Sequence, residues 1–366
     1  MITLEIRSSQ YHYQALVGPQ LLDRAGQLIA AKVRGPRCAI ISDTNVATHF
    51  AERLERSLKS GGFQPTLITV PPGENSKTLP EAGAICDQMM AARLDRQSFV
   101  VGLGGGVIGD LSGFVSAIFQ RGIPHVQIPS TLLAMVDSSI GGKTGVNTRD
   151  GKNLIGAVHH SALVIDDIDL LNTLPRREFN QGFAEIIKHA IIADAEMFAA
   201  LKVAHASGLR TSEDASETHA LQSLIRRNIE IKARIVAKDE HDRTGERALL
   251  NFGHTIGHAI ERASGYKQFL HGEAIALGIV AACNISMKKA GLPKEERDAI
   301  VDLVQKFELP ARLPTDFPRE TIMESVRTDK KFEGGKVRFV LTPKIGSAIV
   351  SSEVTMEDIR EAIDEL

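Results

Sequence analysis

Along the first half of the chain, short apolar runs alternate with longer stretches in which apolar residues recur every three or four positions. The runs RCAIISD (37–43), QPTLITV (64–70), SFVVGLG (98–104), HVQIPS (125–130) and ALVIDD (162–167) predict strands. Between them, ATHFAERLERSLKSGG and TLPEAGAICDQMMAARL carry helical spacing, and the first ends in a glycine pair suited to a C-cap. Strands that alternate with helices favour a parallel sheet, because each crossover helix covers one face of it. MITLEI and YQALVG predict an antiparallel hairpin at its edge.

Beyond LNTLPRREFNQG the period changes. QGFAEIIKHAIIADAEMFAALK, HALQSLIRRNIEIKARIVAK and ERDAIVDLVQKF keep the three-and-four spacing of helices, and β-rich runs return only at KVRFVLTP and SAIVSSEV. RTSEDASETH (210–219) reads as a polar surface loop. The expected fold class is therefore an α/β, Rossmann-like domain over residues 1–175 followed by a mainly α-helical domain over residues 176–366. Neither an internal repeat nor a low-complexity tract interrupts this division.

The glycine-rich turn VVGLGGGVIGDLSGF changes the picture from fold to chemistry. Gly104-x-Gly106-x-x-Gly109 opens a helix directly after a strand, where backbone N–H groups and the positive dipole end can face a pyrophosphate. Glycines also join strands to helices for steric reasons alone, and no acid follows about twenty residues later to hold a ribose. Asp43, however, closes an earlier strand. In a parallel sheet the carboxyl ends line one crevice, so Asp43, the glycine turn and the Ser130-Thr131 pair would converge on one nucleotide.

Two further loops carry cations. Gly142-Lys143-Thr144 resembles the end of a phosphate-binding P-loop, but that motif needs a glycine where Asp137 stands. Lys143 and Lys152, in GGKTG and DGKNLIG, lie in glycine-rich loops from which an ammonium can reach an anion; the bland alternative is a pair of solvated lysines.

NFGHTIGHAIE places His254 and His258 four apart on a helix, hence on one face. A metallopeptidase helix needs a glutamate directly after its first histidine, and Thr255 stands there, which leaves a metal but removes the peptidase mechanism. His271 and the inward-facing Glu185 are further candidate ligands, with an ion pair to Lys188 as the ordinary account of Glu185 and a core or capping role as that of the histidines. Glu185 with His189 is another possible pair. Spacing singles out His254 and does not rank the rest.

Composition narrows the partner. The 366 residues are 43% hydrophobic and 24% charged, with a formal net charge of -2 and no global basic field of the kind that holds nucleic acid or an anionic membrane. A small molecule is the expected ligand. Cys38, Cys86 and Cys283 form no paired framework, and the longest apolar run, AIALGIVAAC, is too short for a membrane span. The N-terminal stretch lacks a signal-peptide pattern, so a cytoplasmic location is expected.

PPGENSKT, GGGVIGD, FQRGIPHVQIPSTLLAMVDSSIGGKTGVN, GKNLIGAVH, GFAEIIKH, ERALLNFGHTIGHAIE, HGEAIALG and DKKFEGGK, in this order along nearly the whole chain, resemble the 3-dehydroquinate synthase family of sugar phosphate cyclases. Ile256 departs mildly from the phenylalanine common in the family. The resemblance implies zinc, or cobalt in its place, on Glu185, His254 and His271, with His258 beside the metal handling protons. It implies NAD against Asp43, Glu74, Lys77, the turn Gly106, Val107, Ile108, Gly109 and Asp110, then Ser130, Thr131, Lys143, Lys152 and Thr173. Lys143, Lys152, Asn153, Lys188, Lys232, Arg247 and one of Lys330 and Lys331 would grip substrate phosphate and carboxylate. Asp137 and Arg121 match active-site positions, the latter reaching across a homodimer.

The implied reaction turns 3-deoxy-D-arabino-heptulosonate 7-phosphate into 3-dehydroquinate and phosphate for the shikimate pathway. It proceeds by transient oxidation with NAD, elimination, re-reduction and an intramolecular aldol closure, in a closed site expected in a cleft between the two domains. A polyol dehydrogenase of the iron-type or glycerol dehydrogenase group would share the layout but need no phosphate cradle. Another sugar phosphate cyclase would have a similar pocket, although His258 and the Lys152-Asn153 pair favour the synthase. A non-catalytic nucleotide-binding module would not need the metal ligands.

Overall fold

The apolar runs RCAIISD, FVVGLG, HVQIP and LVIDD become strands because their side chains are buried on both faces of one sheet, whereas QPTLITV forms its half-exposed edge. The computed structural model describes residues 1–8, 11–149, 151–204, 215–240, 245–327, 332–333 and 336–366. They fall into two compact units, Met1–Leu174 with Arg210–Ala233, and Pro175–Leu209 with Arg234–Leu366.

In the first unit, β1 (Ile2–Arg7) and β2 (His12–Gly18) form the antiparallel edge hairpin, with Ile2 opposite Val17. Helix α1 (Ala25–Ala30) leads to β3 (Arg37–Asp43), α2 (Thr44–Ser60), β4 (Gln64–Val70), α3 (Leu79–Ala91), β5 (Phe99–Gly104), α4 (Gly106–Ile118) and β6 (His125–Pro129). After β7 (Lys143–Thr148) and β8 (Gly151–Val158) comes β9 (Leu163–Asp167). The sheet runs β1-β2-β9-β6-β5-β3-β4, parallel from β2 onward.

This order creates a switch point. From β3 the chain moves outward to β4, then returns to place β5 on the other side of β3. The following helices leave to opposite faces. Phe50, Leu54 and Leu58 of α2 pack in one apolar cluster, whereas Ile108, Leu111 and Val115 of α4 pack in the other. A crevice therefore opens at the carboxyl ends of β3 and β5, the usual ligand position in such sheets.

The second unit is helical: α5 (Arg176–Ala193), α6 (Ala195–Val203), the end of α7 (Ala215–Lys238), α8 (His254–Ala263), α9 (His271–Lys289), α10 (Lys294–Lys306), α11 (Arg319–Arg327) and α12 (Met356–Asp364). A hairpin of Phe339–Lys344 and Ser347–Ser351 joins it. Helix α9 is buried over most of its length and packs against α5 and α8. A Cβ on Gly272 would lie 2.0 Å from the Gln181 carbonyl oxygen of α5, and one on Gly278 would lie 2.0 Å from the Gly253 oxygen at the start of α8. Only glycine permits these approaches.

Three local expectations need correction. Lys143 and Lys152 lie on strands, because GKTGVN and GKNLIGAV pair as an antiparallel hairpin with Lys143 opposite Val158. Residues 215–219 of the expected polar loop begin α7, and 210–214 lie outside the described residues. The apolar period through residues 182–202 hides a break at Asp194, whose φ of -156° is not helical and whose carboxylate accepts a hydrogen bond from the Met197 N–H to cap α6.

Candidate metal centre and nucleotide turn

At the switch point, the glycines divide their work. A Cβ on Gly104 would meet the Ile108 side chain at 2.7 Å, so that position serves strand-to-helix packing. Gly106 begins α4, where Gly105 provides no side-chain cap and no acid occupies the first turn. Uncapped N–H groups of this kind suit an anion. The Ser130 N–H donates to the Gly104 carbonyl at 3.0 Å, which ties the end of β6 to the turn. Asp43 accepts from Asn45 N–H and Val46 N–H at 2.9 and 3.0 Å through one oxygen, Oδ1, and so caps α2. Thr131 accepts from the Ala134 N–H at 3.2 Å, and Thr173 donates to the Leu170 carbonyl. Val107 and Gly109 fall within the same first turns of α4.

Beside β4, Lys77 is almost fully buried and anchors a polar network. Its Nζ donates to Asp110 and, at 2.5 Å, to Oδ1 of Asn153. Burial pushes the Asp110 carboxyl up, against the pull of Lys77. Asn147, which sequence reasoning missed, donates to Glu74 at 2.7 Å and accepts from the Asn153 N–H at 3.1 Å. Asn153 takes a left-handed φ of 57°, a conformation asparagine tolerates. Lys152 stands 3.7 Å from Glu74. Lys232 pairs with Asp137 at 2.9 Å and also donates to its backbone carbonyl. Lys143 and Arg121 are exposed, and Arg121 has a φ of 70°.

The second unit gathers the histidines. His254 and His271 present their Nε2 atoms 3.4 and 3.6 Å from Oε1 of Glu185, and the three ligand atoms lie within 4.8 Å of one another. Such spacings are long for hydrogen bonds, but they match the edge of a tetrahedron around an ion with bonds of about 2.0–2.1 Å. The Nδ1 atoms are already committed. His254 Nδ1 donates to the Phe252 carbonyl at 3.1 Å, and His271 Nδ1 lies 3.1 Å from Oε2 of Glu261. With each Nδ1 committed to an acceptor, Nε2 is the nitrogen left to bind an ion beside the carboxylate, and the donor set fits zinc. The ordinary account of Glu185 also holds without competing, since Lys188 contacts its other oxygen, Oε2.

Electrostatics separate the two imidazoles. Burial and the Lys188 charge hold His254 well below the usual histidine range, in its neutral, ligating form. Burial also works against charge on His271, but the neighbouring carboxylates of Glu261 and Glu185 outweigh it and push its pKa up to about 10. In the metal-free protein that charge contributes stability present below the ordinary value of 6.5 and lost as pH rises through about 10. His258 is exposed, with its ring centroid 5.1 Å from that of His254. Arg247 is buried, its guanidinium donating to the Glu240 carbonyl at 2.8 Å. His189 is buried on α5. Lys330 and Lys331 lie outside the described residues.

Glu261 is the residue that spacing did not flag. It stands seven positions after His254 on the same face of α8, which was the available signal.

Residues 67–181 match the family model described as 3-dehydroquinate synthase N-terminal, and residues 182–332 the one described as 3-dehydroquinate synthase C-terminal. The 3-dehydroquinate synthase of Nostoc punctiforme is 44% identical over 360 residues, covering 98% of each chain. That of Thermodesulfovibrio yellowstonii is 40% identical over 365 residues and the full length of both. Among solved structures, the 2-epi-5-epi-valiolone synthase ValA of Streptomyces hygroscopicus subsp. jinggangensis, with NAD+ and Zn2+ bound, superposes with a TM-score of 0.88 at 27% identity over 98% of each chain.

Proposed function

The chain belongs to the 3-dehydroquinate synthase family, and from that premise we propose how its own side chains carry the reaction. It is a phosphorus–oxygen lyase that converts 3-deoxy-D-arabino-heptulosonate 7-phosphate into 3-dehydroquinate and phosphate, a step of the shikimate pathway. Its cofactors are NAD and zinc or cobalt, which supply reversible hydride acceptance and Lewis acidity when bound.

Glu185, His254 and His271 are our ligand set for the ion. The single observation that carries this assignment is the pair of Nε2 atoms, both with Nδ1 already engaged, 3.4 and 3.6 Å from one carboxylate oxygen. We assign residues 1–175 to NAD and residues 176–366 to metal and substrate. Asp43, Glu74, Lys77, Gly106 to Asp110, Ser130, Thr131 and Thr173 form the nucleotide side, where the open N-terminus of α4 takes the pyrophosphate. Lys143, Lys152, Asn153, Lys188, Lys232 and Arg247 hold the anionic ends of the substrate, with one of Lys330 and Lys331 assigned by resemblance. Lys143 and Lys152 also border the nucleotide. Charge-assisted contacts of this kind orient a phosphate so that its departing bond lies against the acidic C–H. His258 is exposed beside the ligating imidazoles and can accept or return a proton. Asp137 holds Lys232 in place.

The test is one assay of the purified enzyme with catalytic NAD, zinc and the heptulosonate phosphate, following phosphate and NADH absorbance together. Stoichiometric phosphate without lasting NADH is the expected result. NADH accumulating in step with turnover would instead make it a polyol dehydrogenase.

The assembly we propose is a homodimer in the cytoplasm. Leu154, Ile155 and Val158 stand exposed along β8 and Ile118 at the end of α4, apolar surface of the kind a second copy covers. Light scattering should give twice the 39.7 kDa chain mass; a monomer at micromolar concentration would remove the role of Arg121 across the interface. Three unpaired thiols suit a reducing compartment, and cell fractionation checks it. Among the described residues, no helix is long and apolar enough to cross a membrane.

A further inference from the structure

The geometry points to Glu261 as the positioning residue of the metal centre, the side chain that aims the His271 ring without itself binding the ion. This rests on the ligand reading above and goes beyond it.

The two imidazoles are oriented by different means. His254 Nδ1 donates to the backbone carbonyl of Phe252, a partner fixed by the chain itself. Among the described residues, no backbone carbonyl takes that place for His271. It is the first residue of α9, and 34% of its side chain is exposed, so its ring is less confined by packing than that of His254, which is 11% exposed. Its Nδ1 meets Oε2 of Glu261 at 3.1 Å instead. A carboxylate oxygen accepts, so Nδ1 keeps its proton, and Nε2, on the side of Glu185, is the nitrogen that gives up its proton to bind an ion.

Glu261 can do this because it is held. It is 4% exposed on the inner face of α8, and the glycine contacts between α8 and α9 set the distance across which it reaches. A buried carboxylate behind a ligating imidazole fixes the ring and raises its basicity, and removing such a partner typically costs about 10–100-fold in metal affinity. The competing arrangement is an ion held by His258, Glu261 and His271, whose ligand atoms also lie within 4.8 Å. In that case Nδ1 would be the coordinating nitrogen, its proton released to solvent or carried on Nε2, and Glu261 would be a ligand.

Zinc affinity, read by chelator competition on the stripped full-length enzyme, separates these accounts. Glu261→Gln keeps an acceptor oxygen of the same reach and should bind within about tenfold of the parent, whereas Glu261→Ala should bind about 10–100-fold more weakly. Saturating zinc should restore much of the turnover of Glu261→Ala, since all ligands remain. Should the alanine variant not fold, Glu261→Met, similar in size but without an acceptor, carries the same expectation. The cobalt-loaded Glu261→Gln protein should keep the parent's visible ligand-field spectrum.

Unchanged zinc affinity in the folded alanine or methionine variant would overturn the proposal, as would a glutamine variant with an altered cobalt spectrum. Glu185→Ala is the control. If it retains zinc, the ligand assignment itself has failed; if it loses zinc while the Glu261 variants bind normally, only the positioning role has.

Discussion

Glu185→Ala is expected to purify with only traces of zinc and to lose turnover by on the order of 10³-fold or more, since the Lewis acidity of a bound ion supplies several kcal/mol to the barrier. The same substitution removes a carboxylate from beside Lys188, whose side chain is 2% exposed. Breaking a buried ion pair from one side costs about 3–5 kcal/mol, so the stripped variant should also unfold at lower denaturant than the stripped parent. Glu185→Gln separates the two effects, because its amide oxygen can still accept from Lys188 while its metal affinity is poor. Metal content by atomic emission, with denaturant midpoints of the stripped proteins, checks both. Normal zinc and turnover in Glu185→Ala would remove the ligand set.

Lys152→Ala should show the opposite pattern. Its zinc content stays at the parent level, because the hairpin that carries it supplies none of the three proposed ligands. Loss of one charge-assisted contact to phosphate costs about 1.5–3 kcal/mol, or about 10–100-fold in kcat/KM for the phosphosugar. Lys59→Ala, which removes a surface partner of Glu55, serves as a control and should leave kinetics unchanged. Parent-like kcat/KM in Lys152→Ala would return that lysine to the ordinary solvated surface.

The strands were legible because burial on both faces of a parallel sheet demands unbroken apolar runs, and RCAIISD and ALVIDD satisfy that demand. The hairpin carrying Lys143 and Lys152 was not, because its glycines and lysines imitate a loop and its apolar residues Leu154 and Ile155 face outward. The break at Asp194 stayed hidden for a different reason. Apolar spacing runs through it unbroken, and only the local cap reveals a new helix.

At the metal centre the helical period put His254, His258 and Glu261 on one face, but a period says nothing about which helix lies opposite. Glu185 and His271 could be ranked only by resemblance. Glu261, seven positions after the first histidine, acquires meaning only when α9 brings His271 to it. Glycines gave the weakest signal of all. Gly104 and Gly106 look alike in the motif, yet one packs against Ile108 and the other opens the helix end.

Backbone touching backbone at Gly272 and Gly278 leaves the helices no slack to slide, so the cage around the ion has its width dictated by main chain instead of by adjustable rotamers. Such a cage acts as a gauge. It admits small ions that accept nitrogen ligands at short range, and a bulkier cation such as calcium, which wants six or more oxygens at longer range, finds neither the room nor the donors.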